Sequence, residues 1–244
     1  MTANIRRRPA AGVQVPWAPA LIVASLLLAM AAPALAHGVT LGDKGYIQEV
    51  TGVKIIPFLY LGAKHMVTGY DHLLFLFGVI FFLYGMKQIG TYVTLFAIGH
   101  STTMLAGVWF NFGINSYIID AIIGLSVVYK ALDNLGAFQK WFGVQPDTKV
   151  ATLIFGFLHG FGLASKILDY GISPDGLLPN LLAFNVGVEA GQLLALLLVL
   201  AILAAWRTRA GFSRDAFLGN SLLMCAGFLL AGQQLAGYLL EARP

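Results

Sequence analysis

Long apolar runs dominate the pattern of hydrophobic and polar positions along this chain. A helix needs about 20 apolar residues to cross a lipid bilayer. Runs of roughly that length lie at residues 69–86, 91–111, 115–134, 149–169, 178–206 and 216–240. The stretch 47–64 alternates apolar and polar residues and contains Pro57, which favours an interfacial or partly inserted helix over a seventh span. The pattern predicts an all-α fold, a polytopic transmembrane helix bundle of about six spans plus this additional helix.

The N-terminal segment has the pattern of a secretory signal peptide. Three arginines at 6–8 precede an apolar stretch, and the small-residue pattern APALA ends directly before His37. We predict a cleaved signal peptide at 1–36 and a single transmembrane domain at 37–244, with an uncleaved anchor helix as the alternative. Cleavage would give His37 a free amine beside its imidazole, a pair that can chelate a metal ion. The alternative for His37 is a processing scar without a role.

Composition and charge narrow the class of protein further. Hydrophobic residues make up 58% of the chain and charged residues 11%, whereas soluble proteins have about 25% charged residues. The formal net charge of +4 falls to 4 − 3 = +1 without the arginines at 6–8. Nucleic-acid binding therefore has no support, and the single cysteine, Cys225, excludes an internal disulfide.

Basic residues in the loops set the predicted orientation. The loops that carry the basic clusters are those with Lys87, with Lys130, Lys140 and Lys149, and with Arg207, Arg209 and Arg214. Such loops face the cytoplasm in membrane proteins. The mature N-terminus and the C-terminus are then both expected outside.

Ionisable residues within or beside the spans are the candidates for chemistry. Each costs at least about 2.5–3.5 kcal/mol at the centre of a membrane helix, so such groups usually face an internal site. The candidate metal ligands are His37, His65, Asp71, His72, His100, Asp120, His159 and Glu189. On the predicted topology they collect in the outer half of the bundle, with His65 and His72 near the outer surface.

The first of these groups surrounds the start of the first span. His65 and His72 are seven residues apart and share a face if the helix is continuous, and Asp71 is placed to hydrogen-bond a ring nitrogen of His72. Alternatively, Gly69 breaks the helix and leaves His65 on a loop that folds back. Asp71 also suits the N-terminal cap of a helix.

Two small-residue frames surround the later candidates. GFLHG encloses His159 and GVEAG encloses Glu189, and glycines four residues apart allow membrane helices to approach closely. We expect the fourth and fifth spans to pack together and bring His159 into contact with Glu189, with Asn185 orienting the carboxylate or lining a cavity. The alternative is pure packing. The supporting residues are Asn185, Ser101, Gly156, Gly160, Gly187 and Gly191.

The ligand chemistry favours a divalent transition metal. Imidazole and carboxylate groups suit nickel, zinc, copper, cobalt or iron(II), whereas magnesium and calcium prefer more oxygen ligands. An interhelical hydrogen-bond network without metal remains the alternative.

Five segments taken in order resemble a known family. LGAKHMVTGYDHLLFL, FAIGHSTTMLAG, DAIIGLSVVYKALDN, FGFLHGFGLAS and LLAFNVGVEAGQL, after a signal peptide, are similar to the second branch of the HupE/UreJ membrane proteins. The resemblance implies a bacterial inner-membrane permease for nickel or cobalt that supplies hydrogenase or urease maturation. The family motif His-Pro-x-x-Gly-x-Asp-His matches at His65, Gly69, Asp71 and His72, with Met66 in place of proline. The resemblance carries a metal-binding role to His65, Asp71 and His72, and to His159.

With this resemblance we predict uptake of a divalent transition metal from the periplasm, nickel or cobalt first and zinc as a further candidate for the bound ion. His37, His65 and His72 capture the ion, and a deeper site formed by His100, His159 and Glu189, with Asp120 as an additional ligand, passes it inward.

Two rival functions stay open. One is an intramembrane zinc hydrolase, for which Ser101 lies beside His100. The other is a metal-loading accessory subunit for a membrane metalloenzyme. The expected partners are lipid, the metal ion, and either a second copy of the chain or a metalloenzyme-maturation protein.

Overall fold

The described part of the chain is a bundle of α-helices. A computed structural model describes residue 47, residues 49–169 and residues 173–241, so the predicted signal peptide and His37 lie outside it. The described residues form eight helices and no strand. The helices are α1 Ile55–Thr68, α2 Tyr70–Ile80, α3 Met86–Trp109, α4 Ser116–Asn134, α5 Ala137–Phe142, α6 Thr148–Asp169, α7 Leu177–Arg207 and α8 Phe212–Glu241. The predicted all-α bundle is confirmed.

A break at Gly69 separates α1 from α2. Gly69 has extended backbone angles, φ −74° and ψ 103°. Its N–H donates to the carbonyl of His65 at 2.9 Å and ends α1, while its carbonyl accepts from the N–H of Leu73 at 3.1 Å and begins α2. The helix through the first motif is therefore discontinuous. The run expected to span at 69–86 ends as a helix at Ile80.

The two short helices together run parallel to α7. Near one end of the bundle, the backbone N–H of Lys54 donates to Oδ1 of Asn180 at 2.6 Å. Near the other, Nη2 of Arg207 donates to the carbonyl of Ile80 at 2.6 Å. The 31 residues of α7 measure about 46 Å along the helix axis. The stretch 47–64, expected as an interfacial or partly inserted helix, overlaps α1. Together α1 and α2 lie along most of the length of α7.

Glycines bring the other helices together in pairs. A Cβ built on Gly156 would lie 2.5 Å from the carbonyl oxygen of Phe96, so α6 packs directly on α3. A Cβ on Gly124 would lie 2.6 Å from the backbone nitrogen of Ala231, so α4 packs on α8 in the same way. The absence of side chains at these positions allows backbone contact.

The glycine frames were expected to join the fourth and fifth spans, and the structure corrects this. Gly156 and Gly160 in α6 face α3, whereas Gly187 and Gly191 in α7 face α1. Each frame therefore packs closely, but on a different helix from the one predicted.

Three described helices, α6, α7 and α8, are long and apolar enough to cross a membrane, and α2 is apolar but shorter. The outward face of α7 exposes a run of leucines that includes Leu193, Leu194 and Leu197. Buried apolar side chains, among them Phe75, Ile80 and Leu203, pack around α2. The bundle is thus apolar on both its inner and its outer faces, as a lipid-embedded protein requires.

The helix ends that carry Lys87, Lys149 and Arg207 lie at one end of the bundle, which we call the basic end. A buried polar cluster lies there. Lys130 donates to Asp133 at 2.5 Å, and Gln145 and Thr148 also donate to this carboxylate.

Candidate metal centre

Four histidines from four helices meet in the bundle. His65 comes from the last turn of α1, His72 from the first turn of α2, His100 from α3 and His159 from α6. The ring centroid of His72 lies 5.0 Å from that of His65, 5.9 Å from that of His100 and 5.0 Å from that of His159. His65, His72 and His100 each offer one ring nitrogen, and these three nitrogens lie within 4.8 Å of one another. We call these four residues the histidine cluster.

The histidine cluster lies half-way along the helices. Met66, next to His65, packs against Gly191, which lies at the middle of α7. His100 and His159 are near the middle of α3 and α6. The sequence placed His65 and His72 near the outer surface, and the structure places them deeper because α1 extends the unit by 14 residues beyond the break.

Asp71 fixes the orientation of His72. Nδ1 of His72 lies 3.0 Å from Oδ1 of Asp71, and both side chains are buried. A carboxylate only accepts, so Nδ1 carries the proton and Nε2 keeps its lone pair. Nε2 has no hydrogen-bond partner among the described residues. A carboxylate that orients an imidazole in this way is the usual support of a metal-binding histidine.

The other two buried rings also present nitrogens to the interior. Nδ1 of His159 donates to the carbonyl of Phe155 at 2.7 Å, which leaves a lone pair on Nε2. Neither ring nitrogen of His100 has a hydrogen-bond partner among the described residues, although the side chain is only 1% exposed. A buried polar group without a partner costs about 1–3 kcal/mol, so a ligand is the natural explanation for His100.

Gly69 leaves the room that the histidine cluster needs. A Cβ at Gly69 would lie 2.8 Å from Nδ1 of His72 and 3.0 Å from the carbonyl oxygen of His65. Any side chain here would push the two helix ends apart. The glycine therefore sets the separation of His65 and His72.

Two predicted site residues lie away from the histidine cluster. Asp120 is buried but accepts from Nζ of Lys166 at 2.6 Å, so a lysine already compensates its charge. Glu189 is exposed on the outward face of α7, between Val186 and Leu193, which are exposed as well. The expected contact between His159 and Glu189 is not present in the structure.

The supporting polar residues pair with each other. Oγ of Ser101 lies 2.9 Å from Oδ1 of Asn185, to which it donates. Nδ2 of Asn185 lies 2.7 Å from Oγ of Ser101. This contact ties α3 to α7 rather than orienting the carboxylate of Glu189.

A cavity beside the histidine cluster includes residues that sequence reasoning missed. His72 forms part of its wall together with Gln192, Tyr92 and Thr152. The amide of Gln192 follows directly after the second glycine of GVEAG, inside an apolar run. A polar side chain in such a run was the available signal, as it was for the buried Lys130 in α4.

Comparison with known proteins identifies the family. A family model described as HupE / UreJ protein matches residues 41–242. The chain belongs to the HupE / UreJ family. With its apolar helices, this membership makes the chain a membrane protein, and the family is associated with nickel and cobalt transport or maturation. The chain has no significant match to a curated protein or to a solved structure.

Proposed function

We propose that this HupE / UreJ protein is a multi-pass uptake permease for nickel or cobalt in the bacterial inner membrane, with its mature N-terminus in the periplasm. One observation carries the proposal: four imidazoles converge at a helix break half-way along the bundle. Discontinuous helices that present ligands near the membrane midplane are the usual construction of ion sites in transporters.

The histidine cluster supplies ligands of the right type. His65, His72 and His100 form the primary ligand set because their nitrogens already lie within 4.8 Å of one another. His159 is the fourth ligand, since its ring centroid lies 5.0 Å from that of His72 in an edge-to-face contact. Imidazole ligands favour nickel, cobalt, copper and zinc over magnesium and calcium.

Asp71 contributes charge as well as orientation. Its carboxylate is 1% exposed and lies against the cluster through His72. A divalent cation in a low-dielectric interior needs a nearby negative charge to offset the loss of hydration. Asp71 serves this purpose, whereas Asp120 is compensated by Lys166 and Glu189 faces outward.

Two other predicted roles concern His37 and Ser101. Capture of the ion by His37 stays a proposal, because this residue lies outside the described residues. The hydrolase alternative gains nothing from Ser101, because its hydroxyl pairs with Asn185 on α7.

Metal uptake into proteoliposomes tests the proposal. The full chain is reconstituted with a metal-sensitive dye trapped inside, and nickel or cobalt is added outside. We expect wild-type vesicles to fill and the His100→Asn variant to lose at least about nine-tenths of the rate. The exposed variant Lys140→Ala is the matched control and should fill at the wild-type rate. Reversible metal binding without uptake in the wild type would contradict a permease and favour an accessory subunit.

A further inference from the structure

The cavity beside the histidine cluster has an unusual wall. It lies between α1, α2, α3, α6 and α7, and most of its lining is apolar, including Val79, Val93 and Phe96. Gln192 on α7 is among the few polar side chains in this wall. The cavity therefore joins the metal-binding residue His72 to an amide on the opposite side.

Gln192 lacks a partner for its amide nitrogen. The side chain is 2% exposed, and Nε2 makes no hydrogen bond with a described residue. Leaving a buried amide donor unsatisfied costs about 1–3 kcal/mol. A leucine at this position would fill the same space without that cost, so the amide is explained by something that visits the cavity.

The cavity lies between the histidine cluster and the basic end. Val79 is next to the last residue of α2, whereas Tyr92 and Thr152 lie in the first two turns of α3 and α6. Those helix ends carry Lys87 and Lys149. Basic helix ends face the cytoplasm by the positive-inside rule, so the cavity is on the cytoplasmic side of the cluster.

We infer that this small cavity lies on the inner half of the permeation route and that Gln192 is the first polar contact of the ion after it leaves the histidine cluster. The inference rests on the proposed transport function. The amide oxygen of Gln192 binds the partly hydrated cation, and its N–H donates to water that accompanies the ion. Tyr92 and Thr152 offer hydroxyls further toward the basic end.

This role separates release from binding. The three histidines whose nitrogens lie close enough to hold an ion come from α1, α2 and α3. Gln192 on α7 is not one of these ligands. Loss of the amide should therefore leave equilibrium metal binding at the cluster intact and slow the passage of the ion into the cytoplasm. A plain packing role predicts no such separation.

The first test compares Gln192→Leu with Gln139→Leu, an exposed glutamine in α5. We expect nickel affinity of the purified protein within about twofold of wild type in both variants. Uptake by proteoliposomes should fall at least about tenfold for Gln192→Leu alone, and Gln192→Asn should restore part of it. Unchanged uptake in Gln192→Leu, or a parallel loss of affinity and uptake, would overturn the inference.

The second test asks whether the cavity opens to the cytoplasm. Val93→Cys is made on a Cys225→Ser background and treated with a membrane-impermeant maleimide in vesicles of both orientations. Labelling is expected in inside-out vesicles only, while Leu230→Cys, which is buried in the core at 1% exposure, stays unlabelled. No labelling from the cytoplasmic side, or labelling only from the periplasmic side, would contradict the inference.

The two tests keep this inference apart from the proposed function. If wild-type vesicles take up no metal but Val93→Cys is labelled from the cytoplasmic side, the transport function fails and the cavity assignment stands. If wild-type vesicles take up metal and neither Gln192→Leu nor Val93→Cys behaves as expected, the permease stands and the inference fails.

Discussion

Replacement of Gly160 by alanine tests whether close packing of α3 and α6 sets the geometry of the histidine cluster. A Cβ at this position would lie 2.2 Å from the carbonyl oxygen of His100 and 2.1 Å from Oγ1 of Thr103. An ordinary contact needs about 3.4 Å. The helices must therefore separate by about 1 Å, and His159 moves with α6.

The expected loss of affinity follows from this shift. Metal–ligand distances tolerate only about 0.2 Å. The variant, with α3 and α6 moved apart, therefore has to bring them together again before His100 and His159 can both bind the ion. Overpacking of this kind costs about 1–3 kcal/mol. If binding has to pay that strain, the dissociation constant for nickel rises by a factor of about 5 to 150.

Calorimetric titration of the purified protein in detergent measures this change. Gly90→Ala and Gly232→Ala are the controls, because a Cβ on either glycine meets no atom within 4 Å. Both controls should bind nickel within about twofold of wild type. A folded Gly160→Ala protein with wild-type affinity would show that α3 and α6 do not jointly hold the ion.

Three further changes have separate expectations. Asp71→Asn should weaken nickel binding by about 10- to 100-fold, measured by titration, because the carboxylate supports the His72 imidazole; a smaller effect counts against that role. Glu189→Gln should leave the affinity within about twofold, and a tenfold loss would return this residue to the site. Lys130→Met should destabilise the protein by up to about 3–5 kcal/mol, because the buried Asp133 keeps its hydrogen bonds from Gln145 and Thr148 but loses its cationic partner. The double variant Lys130→Met/Asp133→Leu should recover part of the thermal stability; equal instability of both variants would refute this.

The sequence predicted the long helices α6, α7 and α8 well, but it did not predict the position of α1. The runs that became α6, α7 and α8 are long and apolar, and each is recognisable from its own composition. In contrast, α1 contains Pro57 and follows the polar residue Lys54, so its own composition reads as interfacial. Its position depends on backbone contact between Gly62 and the carbonyl of Phe184, a tertiary contact that no local pattern shows.

The sequence also could not show whether Glu189 or Gln192 faces the interior of the bundle. Both polar residues lie in one apolar run of α7, where Gln192 is buried and Glu189 is exposed. In a soluble helix the apolar face would reveal the buried side. Here the outward face also carries leucines, so hydrophobic periodicity cannot tell the interior from the lipid side.

The histidines were easier to identify, because ionisable residues inside apolar spans are costly and therefore point to a site. The sequence did not show which of these ionisable residues lie in contact with one another. The pairing of Asp120 with Lys166 joins α4 to α6 and removes one expected ligand. Such long-range partners follow from the packing of helices and not from residue spacing.

X-ray absorption spectroscopy of the nickel-loaded full chain shows whether imidazoles at the helix break hold the ion. We expect one bound ion with scattering from at least three imidazole rings, and loss of one ring in the variants His72→Ala and His100→Asn. A nickel ion surrounded by oxygen ligands without imidazole scattering, or a spectrum unchanged in both variants, would contradict a metal site at the helix break.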